Sequence, residues 1–160
     1  MRYLTLSEAI YINGRVLANP QIMSGKQGVR DVILLDAAVM RPASSAFGAD
    51  AYPTLREKVA ALFHSIVRNH PFADGNKRTA TVVSIFMFAV NGERIVWNQV
   101  EALPYILAAA QHQREIADLA AWFPLTPCPP AGEPDAEADM RHIDQICLEQ
   151  EWLLNELRDR

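Results

Sequence analysis

A chain of 160 residues, half of them hydrophobic, fits one domain with an ordinary core, with or without an appendage. Its net charge of −4 excludes a general nucleic-acid binder, which carries a basic excess, and no apolar run reaches the roughly 20 residues of a membrane helix. Two cysteines build no disulfide framework, and neither Cys128 nor Cys147 has metal-site spacing with the four histidines. The composition reads as a soluble cytoplasmic protein with no nucleic-acid or membrane partner. The acidity is uneven: residues 135–160 carry eight acids and three bases, and residues 1–134 carry 11 acids and 12 bases.

Taken in chain order, Thr5-x-x-Glu8 is a capping-box pattern that opens a helix through Ile10 to Leu17. "VRDVILLDAAVM" predicts a second helix, stopped by Pro42 because the residue before a proline disfavours helical geometry. Residues 42–53, rich in small side chains, predict a loop or short hairpin carrying Phe47. Thr54-x-x-Glu57 predicts a second capping box, followed by Leu55, Val59, Leu62, Phe63 and Ile66 at helical spacing to about Asn69. The next helix should run from Asn76 to Asn91-Gly92, where glycine supplies the left-handed stop. Its apolar residues, among them Val82, Val83, Ile85, Phe86, Phe88 and Val90, cover the whole circumference, which places it at the centre of the domain.

"RIVW" reads as a short strand or extended link, and helices are expected near 99–111 and 115–123. The proline-rich stretch 124–134 reads as a stiff, extended linker. Beyond it, residues 135–160 predict one acidic amphipathic helix with Ile143, Ile146, Leu153 and Leu157 near a heptad seam that Gln150 interrupts. No strand run is long enough to dominate, so the domain is mainly helical.

The stretch "HPFADGNKR", His70 to Arg78, concentrates chemistry between two of these helices. Gly75 allows a sharp turn and a close approach to a ligand. The free amides of the following helix favour an anion, Asn76 adds a neutral donor, and Lys77 and Arg78 add a compact and a bidentate cation. Asp74 would repel phosphate by itself but suits a Mg²⁺ shared with phosphate oxygens. His70 titrates near neutrality and could accept a proton from an attacking hydroxyl. Together these are the parts of phosphoryl or nucleotidyl transfer. Spacing alone equally allows a capped, solvated turn, since Asp-Gly-Asn is ordinary turn chemistry. The common phosphate loops GxxxxGK[ST] and GxGxxG are absent.

Residues 70–78 also match every specified position of HxFx(D/E)GN(G/K)R, and the segment resembles the Fic/Doc superfamily. The flanks "FGADAYPTLREKVAALFHSIVRNHPFADGNKRTA" and "NGERIVW" are similar to its death-on-curing (Doc) branch, a likeness that covers roughly residues 1–123. The resemblance implies an all-α, compact helical domain over 1–123 with a short flap hairpin or loop, followed by the 124–134 linker and an extra C-terminal helix over 135–160. It implies His70 as catalytic base, Asp74 as ligand to Mg²⁺ on the phosphates, Gly75 and Asn76 as the anion-binding loop, and Arg78 as the phosphate-gripping arginine. Phe72 would be a structural plug and Phe47 an anchor on the flap that docks the target segment.

Lys77 bears on the reaction class. Fic members typically have Gly there and transfer AMP, whereas the Doc-type Lys implies an inverted nucleotide and transfer of the γ-phosphate of ATP or another nucleoside triphosphate. The implied protein is the toxin of a toxin–antitoxin pair that phosphorylates a hydroxyl of a target resembling elongation factor Tu and arrests translation. Gly75 departs from the Doc motif, which has Ala there, so AMP transfer stays open, as does a catalytically idle protein-binding module. The inhibitory pattern (S/T)xxxE(G/N) of many Fic proteins does not occur, which implies a small antitoxin partner instead. The helix after 134 could cover a groove in cis, form a homodimer, or pack on its own domain.

Overall fold

Helix α5, Asn76–Val90, is the axis of the chain, as its apolar circumference predicts: eleven of its 15 residues are buried. This arrangement is seen in a computed structural model that describes residues 1–24 and 28–160. Helix α1, Leu6–Val16, begins with the expected capping box: the Thr5 hydroxyl accepts from the Glu8 N–H and the Glu8 carboxylate accepts from the Thr5 N–H. A short helix α2, Pro20–Met23, is capped by Asn19 and was not legible in the apolar pattern. Helix α3, Val32–Met40, is capped by Asp31 and tightens into a 3₁₀ turn, Arg41–Ala43, at the proline that was expected to stop it.

The 42–53 segment resolves as the hairpin alternative. Strands β1, Ser45–Ala46, and β2, Ala49–Asp50, pair antiparallel with Ala46 opposite Ala49. A lysine buried in the next helix, Lys58, ties this hairpin down by donating to the Pro42 carbonyl and to Asp50 Oδ2, both at 3.2 Å. Helix α4, Leu55–Asn69, follows and packs along α5 through Val59, Leu62, Phe63 and Ile66. Its predicted capping box is half formed: Thr54 Oγ1 accepts from the Glu57 N–H, but the Glu57 carboxylate meets the Thr54 hydroxyl rather than its N–H.

After α5 the chain turns at Gly92, whose φ of 93° is the left-handed conformation expected there. Strand β3, Glu93–Ile95, leads to α6, Gln99–Ala110, and α7, Ile116–Trp122. Trp122 stacks with Trp97 and Tyr105, and Phe123 packs edge-on against Phe63 and Phe88, closing the core below α4 and α5.

Two expectations fail beyond this point, both for long-range reasons. The proline-rich stretch is not a free spacer. Residues Leu125–Pro127 form β4, antiparallel to β3, and the N–H groups of Cys128 and Ala131 donate to the carbonyls of Gly92 and Val90. The prolines leave just enough donors between them to fasten the run across the end of α5. The C-terminal helix is two helices, α8, Ala136–Glu149, and α9, Glu151–Arg158, which meet at Gln150. The break is held from the start of α6 and the link before it: Trp97 Nε1 donates to Gln150 Oε1, and Gln99 donates to the Glu149 carbonyl while accepting from the Leu153 N–H.

The expected seam is real but is satisfied within the chain. Ile143, Ile146, Leu153 and Leu157 are all buried, with α8 and α9 packed on α5 and α6. Acids of this segment meet N-terminal cations, Asp139 with Arg2 at 2.5 Å and Asp144 with Arg15 at 2.8 Å. Among the described residues, no helix is long and apolar enough to cross a membrane.

Burial of the C-terminal helices makes a clean prediction. Leu153→Ala leaves a cavity in a closed core and should lower stability by about 2–5 kcal/mol in urea denaturation. The half-exposed neighbour Trp152 should cost much less when replaced by Ala, and equal losses at both positions would mean that the segment is not packed as described.

Candidate active site

The site is built where α4 ends and α5 begins. His70 caps α4 in the left-handed conformation, φ 49° and ψ 58°, which for a side-chain-bearing residue costs roughly 1–2 kcal/mol. Arg30 helps hold it there: its Nε donates to the His70 carbonyl at 2.6 Å and its Nη2 to the Asn69 carbonyl at 2.7 Å. A guanidinium on the last carbonyls of a helix also complements the negative end of the helix dipole.

The loop that follows is clamped from both sides. The N–H groups of Arg30 and Asp31 both donate to the Pro71 carbonyl, the Ala73 N–H donates to the Gly28 carbonyl, and Val29 forms a β-bridge with Phe72. The Phe72 ring is buried among the α-helices. Asn76 then closes the loop: its Oδ1 accepts from the Phe72 N–H and its Nδ2 donates to the Phe72 carbonyl, each at 3.0 Å. From α1, the fully buried Asn13 donates through Nδ2 to the Asp74 carbonyl at 2.9 Å and to Thr79 Oγ1 at 3.0 Å.

Gly75 caps α5 with φ 75°, where an added Cβ would also stand 3.1 Å from Leu17 Cδ2. Glycine thus suits this corner by conformation, and a Cβ here would press on the end of the Leu17 side chain. The Gly75 N–H donates to Asp74 Oδ1 at 2.7 Å, and Asp74 Oδ2 lies 3.8 Å from Arg78 Nη2. The Asp74 side chain is 76% exposed and that of Arg78 11%, so the acid faces solvent while the cation is sunk beside it. Arg78 Nη1 donates to the Val16 carbonyl at 3.3 Å. Burial lowers the pKa of Arg78, and Asp74 opposes the shift. The residues Asp74 to Arg78 form one wall of a small cavity of about 80 Å³ at the head of α5.

His70 is held neutral more firmly than a free imidazole. Burial is the largest cause, and the charges of Lys77, Arg30 and His112 push in the same direction, below the ordinary value of 6.5. A neutral imidazole next to cations is an acceptor in want of a proton, beside helix amides and two positive side chains that suit an anion.

His70, Asp74, Gly75, Lys77 and Arg78 thus share one loop and first turn, as the spacing predicts. Asn76 has a structural task besides the expected one. One N–H and the oxygen of its amide are used on Phe72, so its side chain shapes the loop and keeps a second N–H to donate. Phe47 stands apart from the loop, fully exposed at the tip of the hairpin. Sequence reasoning missed Arg30 and Asn13, which fix the loop from outside the motif. Asn13 had a signal, a polar residue on the apolar side of α1 between Ile12 and Gly14. Arg30 had none, because its partners lie about 40 residues away.

As to donors for a metal, among the described residues no three His, Cys, Asp or Glu side chains cluster closely enough to cage an ion. The one exposed carboxylate of Asp74 instead fits a Mg²⁺ that arrives with phosphate oxygens and keeps several waters.

This geometry belongs to a known class. A model of the Fic/DOC family matches residues 3–88, just over half of the chain, and the chain is a member of that family. Among curated proteins it is similar to Toxin Doc of Mycolicibacterium smegmatis (strain ATCC 700084 / mc(2)155), 49% identical over 71 residues. The matched segment is 44% of this chain and 55% of the relative, so the chain spans about half the length of the curated relative it matches.

The loop geometry predicts the effect of Asn76→Ala. Removing the amide leaves the buried backbone groups of Phe72 without partners and should cost about 1–3 kcal/mol in chemical denaturation. Hydrogen exchange should quicken at residues 71–75 before it does in α4 or α5. Unchanged exchange there would show that the clamp is not what holds the loop.

Proposed function

We propose that this protein is the toxin of a toxin–antitoxin pair and a phosphotransferase. It moves the γ-phosphoryl group of a nucleoside triphosphate, such as ATP, to a hydroxyl of a target protein. The observation that carries the reading is the placement of His70, solvent-accessible and with its pKa lowered, next to the N-terminus of α5, with Lys77 and Arg78 on its first turn. The name of the similar curated protein, Toxin Doc, supports the toxin role.

In the proposed reaction the target hydroxyl gives its proton to the imidazole of His70 as its oxygen bonds to the γ-phosphorus. The bond from that phosphorus to the β,γ-bridging oxygen breaks, and the nucleoside diphosphate departs. The amides at the head of α5 and the guanidinium of Arg78 hold the phosphate oxygens as charge develops on them. Lys77 adds a compact cation beside them and is the residue that favours delivery of the γ-phosphate over AMP. Asp74 would hold a Mg²⁺, which when bound neutralises phosphate charge. Asn76 keeps the amides aimed by fixing Phe72, and Arg30 keeps His70 turned toward them.

The hairpin suits target docking. Phe47 and Gly48 both have positive φ, 54° and 79°, so they form a two-residue turn of the kind that normally favours Asn-Gly. A phenylalanine there is both strained and fully exposed, features that point to use as a contact. The β1–β2 edge beside it would take an extended target segment by backbone pairing. A target resembling elongation factor Tu and a small protein antitoxin complete the reading, with translation as the process arrested in the cytoplasm.

The test is isotopic. ATP labelled at the γ-position should label a protein in a bacterial extract, with elongation factor Tu the expected band, and His70→Ala should abolish the signal. Labelling from the α-position instead would mean AMP transfer, the outcome that Gly75 would favour. No label from either, with His70→Ala indistinguishable from the unmodified protein, would leave a binding module.

The pH profile is a second check. Because the pKa of His70 lies below 6.5, the rate should rise with pH to a plateau already reached near neutrality, and fall only below that value as the imidazole takes up its proton. Lys77→Gly removes one of the charges that lower it and should move the acidic limb upward. A limb centred above 6.5 in the unmodified protein would count against His70 as the base.

A further inference from the structure

The cavity at the head of α5 has a second wall. Opposite Asp74 to Arg78 it is lined by Leu157, Arg158 and Arg160, from the end of α9 and the residues just past it. Its volume of about 80 Å³ is well below the roughly 300–1,000 Å³ of pockets that enclose whole ligands, so it takes one phosphate-sized part of a ligand.

Four of the lining side chains are cations, Lys77, Arg78, Arg158 and Arg160, against the single carboxylate of Asp74. Among the described residues, Lys77 and Arg158 have no ion-pair partner, and Arg160 has only a loose contact of 3.7 Å with Glu156 one turn back. Asp159, between the two arginines, does not line the cavity, but its charge reaches Arg78 and offsets part of the excess. Bringing like charges from two separate helices into one concavity opposes folding unless an anion relieves it, and a concave basic surface also concentrates anions. The C-terminal end of α9 carries a partial negative charge, but two guanidiniums outweigh roughly half a unit of dipole charge.

The position of Arg158 is set by a packed helix, and Arg160 follows two residues beyond it. Leu153, Leu154 and Leu157 are buried, so the last turn of α9 is seated on the domain and Arg158 extends from it next to a fixed residue.

We infer that Arg158 and Arg160 complete the phosphate cradle, so that the C-terminal segment is part of the nucleotide site and not a cover over it. This rests on the reading of residues 70–78 as a phosphate-transfer site. The ligand class is the polyphosphate chain of a nucleoside triphosphate, gripped from α5 on one side and α9 on the other.

Calorimetric titration of the full chain with Mg-ATP, and separately with inorganic tripolyphosphate, tests the inference. The double variant Arg158→Ala/Arg160→Ala should weaken both ligands about tenfold at low ionic strength. The deficit should shrink as salt is raised, and Arg158→Lys/Arg160→Lys should recover most of it. Since Leu157 is untouched, the variants should keep the helical signal of the unmodified protein, with a urea midpoint no lower than its own. Binding by the double alanine variant equal to that of the unmodified protein overturns the inference, and tighter binding overturns it by making the tail an obstruction. In either case, loss of binding in Arg78→Ala would leave the phosphate reading standing. Absence of binding by the unmodified protein would overturn both.

Discussion

The two hydrogen bonds between the Asn76 amide and the backbone of Phe72 are the constraint from which the rest of the site follows. A six-residue connection between two core helices would by itself have many conformations. Here the Phe72 ring is committed to the core, and the amide of the first residue of α5 reads the backbone of that same phenylalanine. The loop therefore has one shape, with His70 at one left-handed corner and Gly75 at the other. Arg30 and Asn13 secure the two corners from α3's leading segment and from α1, so four parts of the chain must be in place before the site exists. Preorganisation of this kind is what phosphate chemistry needs, since nearly all of its catalysis is positioning and charge.

The same logic extends to the C-terminal helices. They bury apolar seams against α5 and α6, pair their acids with Arg2 and Arg15, and are locked at their junction by Gln99 and Trp97. The family match ends at residue 88, yet the structure places the later helices on the same core and brings the end of α9 to the head of α5. The net acidity of residues 135–160 thus does not describe the end of α9, where Arg158 and Arg160 line the cavity at the head of α5.

Much of this was legible because it is local. The Thr5 box, the Pro42 stop, the Gly92 turn and the bounds of α4 and α5 follow from capping chemistry and period, which act within a few residues. The motif at 70–78 was legible as a set of reactive groups, because its members are adjacent in the chain. What escaped was set by distant partners. Leu125–Pro127 became a strand only because β3 offered an edge, and the break at Gln150 depends on Gln99 about 50 residues earlier. The structural half of Asn76's role escaped for a related reason: its bonds to the Phe72 backbone, four residues back, depend on a loop shape that the motif alone does not show.

The central claim is that the amides and cations at the head of α5 receive the phosphates of a nucleotide beside a neutral His70. Titrating Mg-ATP into isotopically labelled protein and following each backbone amide by NMR tests this most directly. The account predicts that the largest shifts fall on Gly75, Asn76, Lys77 and Arg78, with the His70 ring resonances moving alongside. Shifts that leave these four amides unmoved while other parts of the chain respond would contradict it.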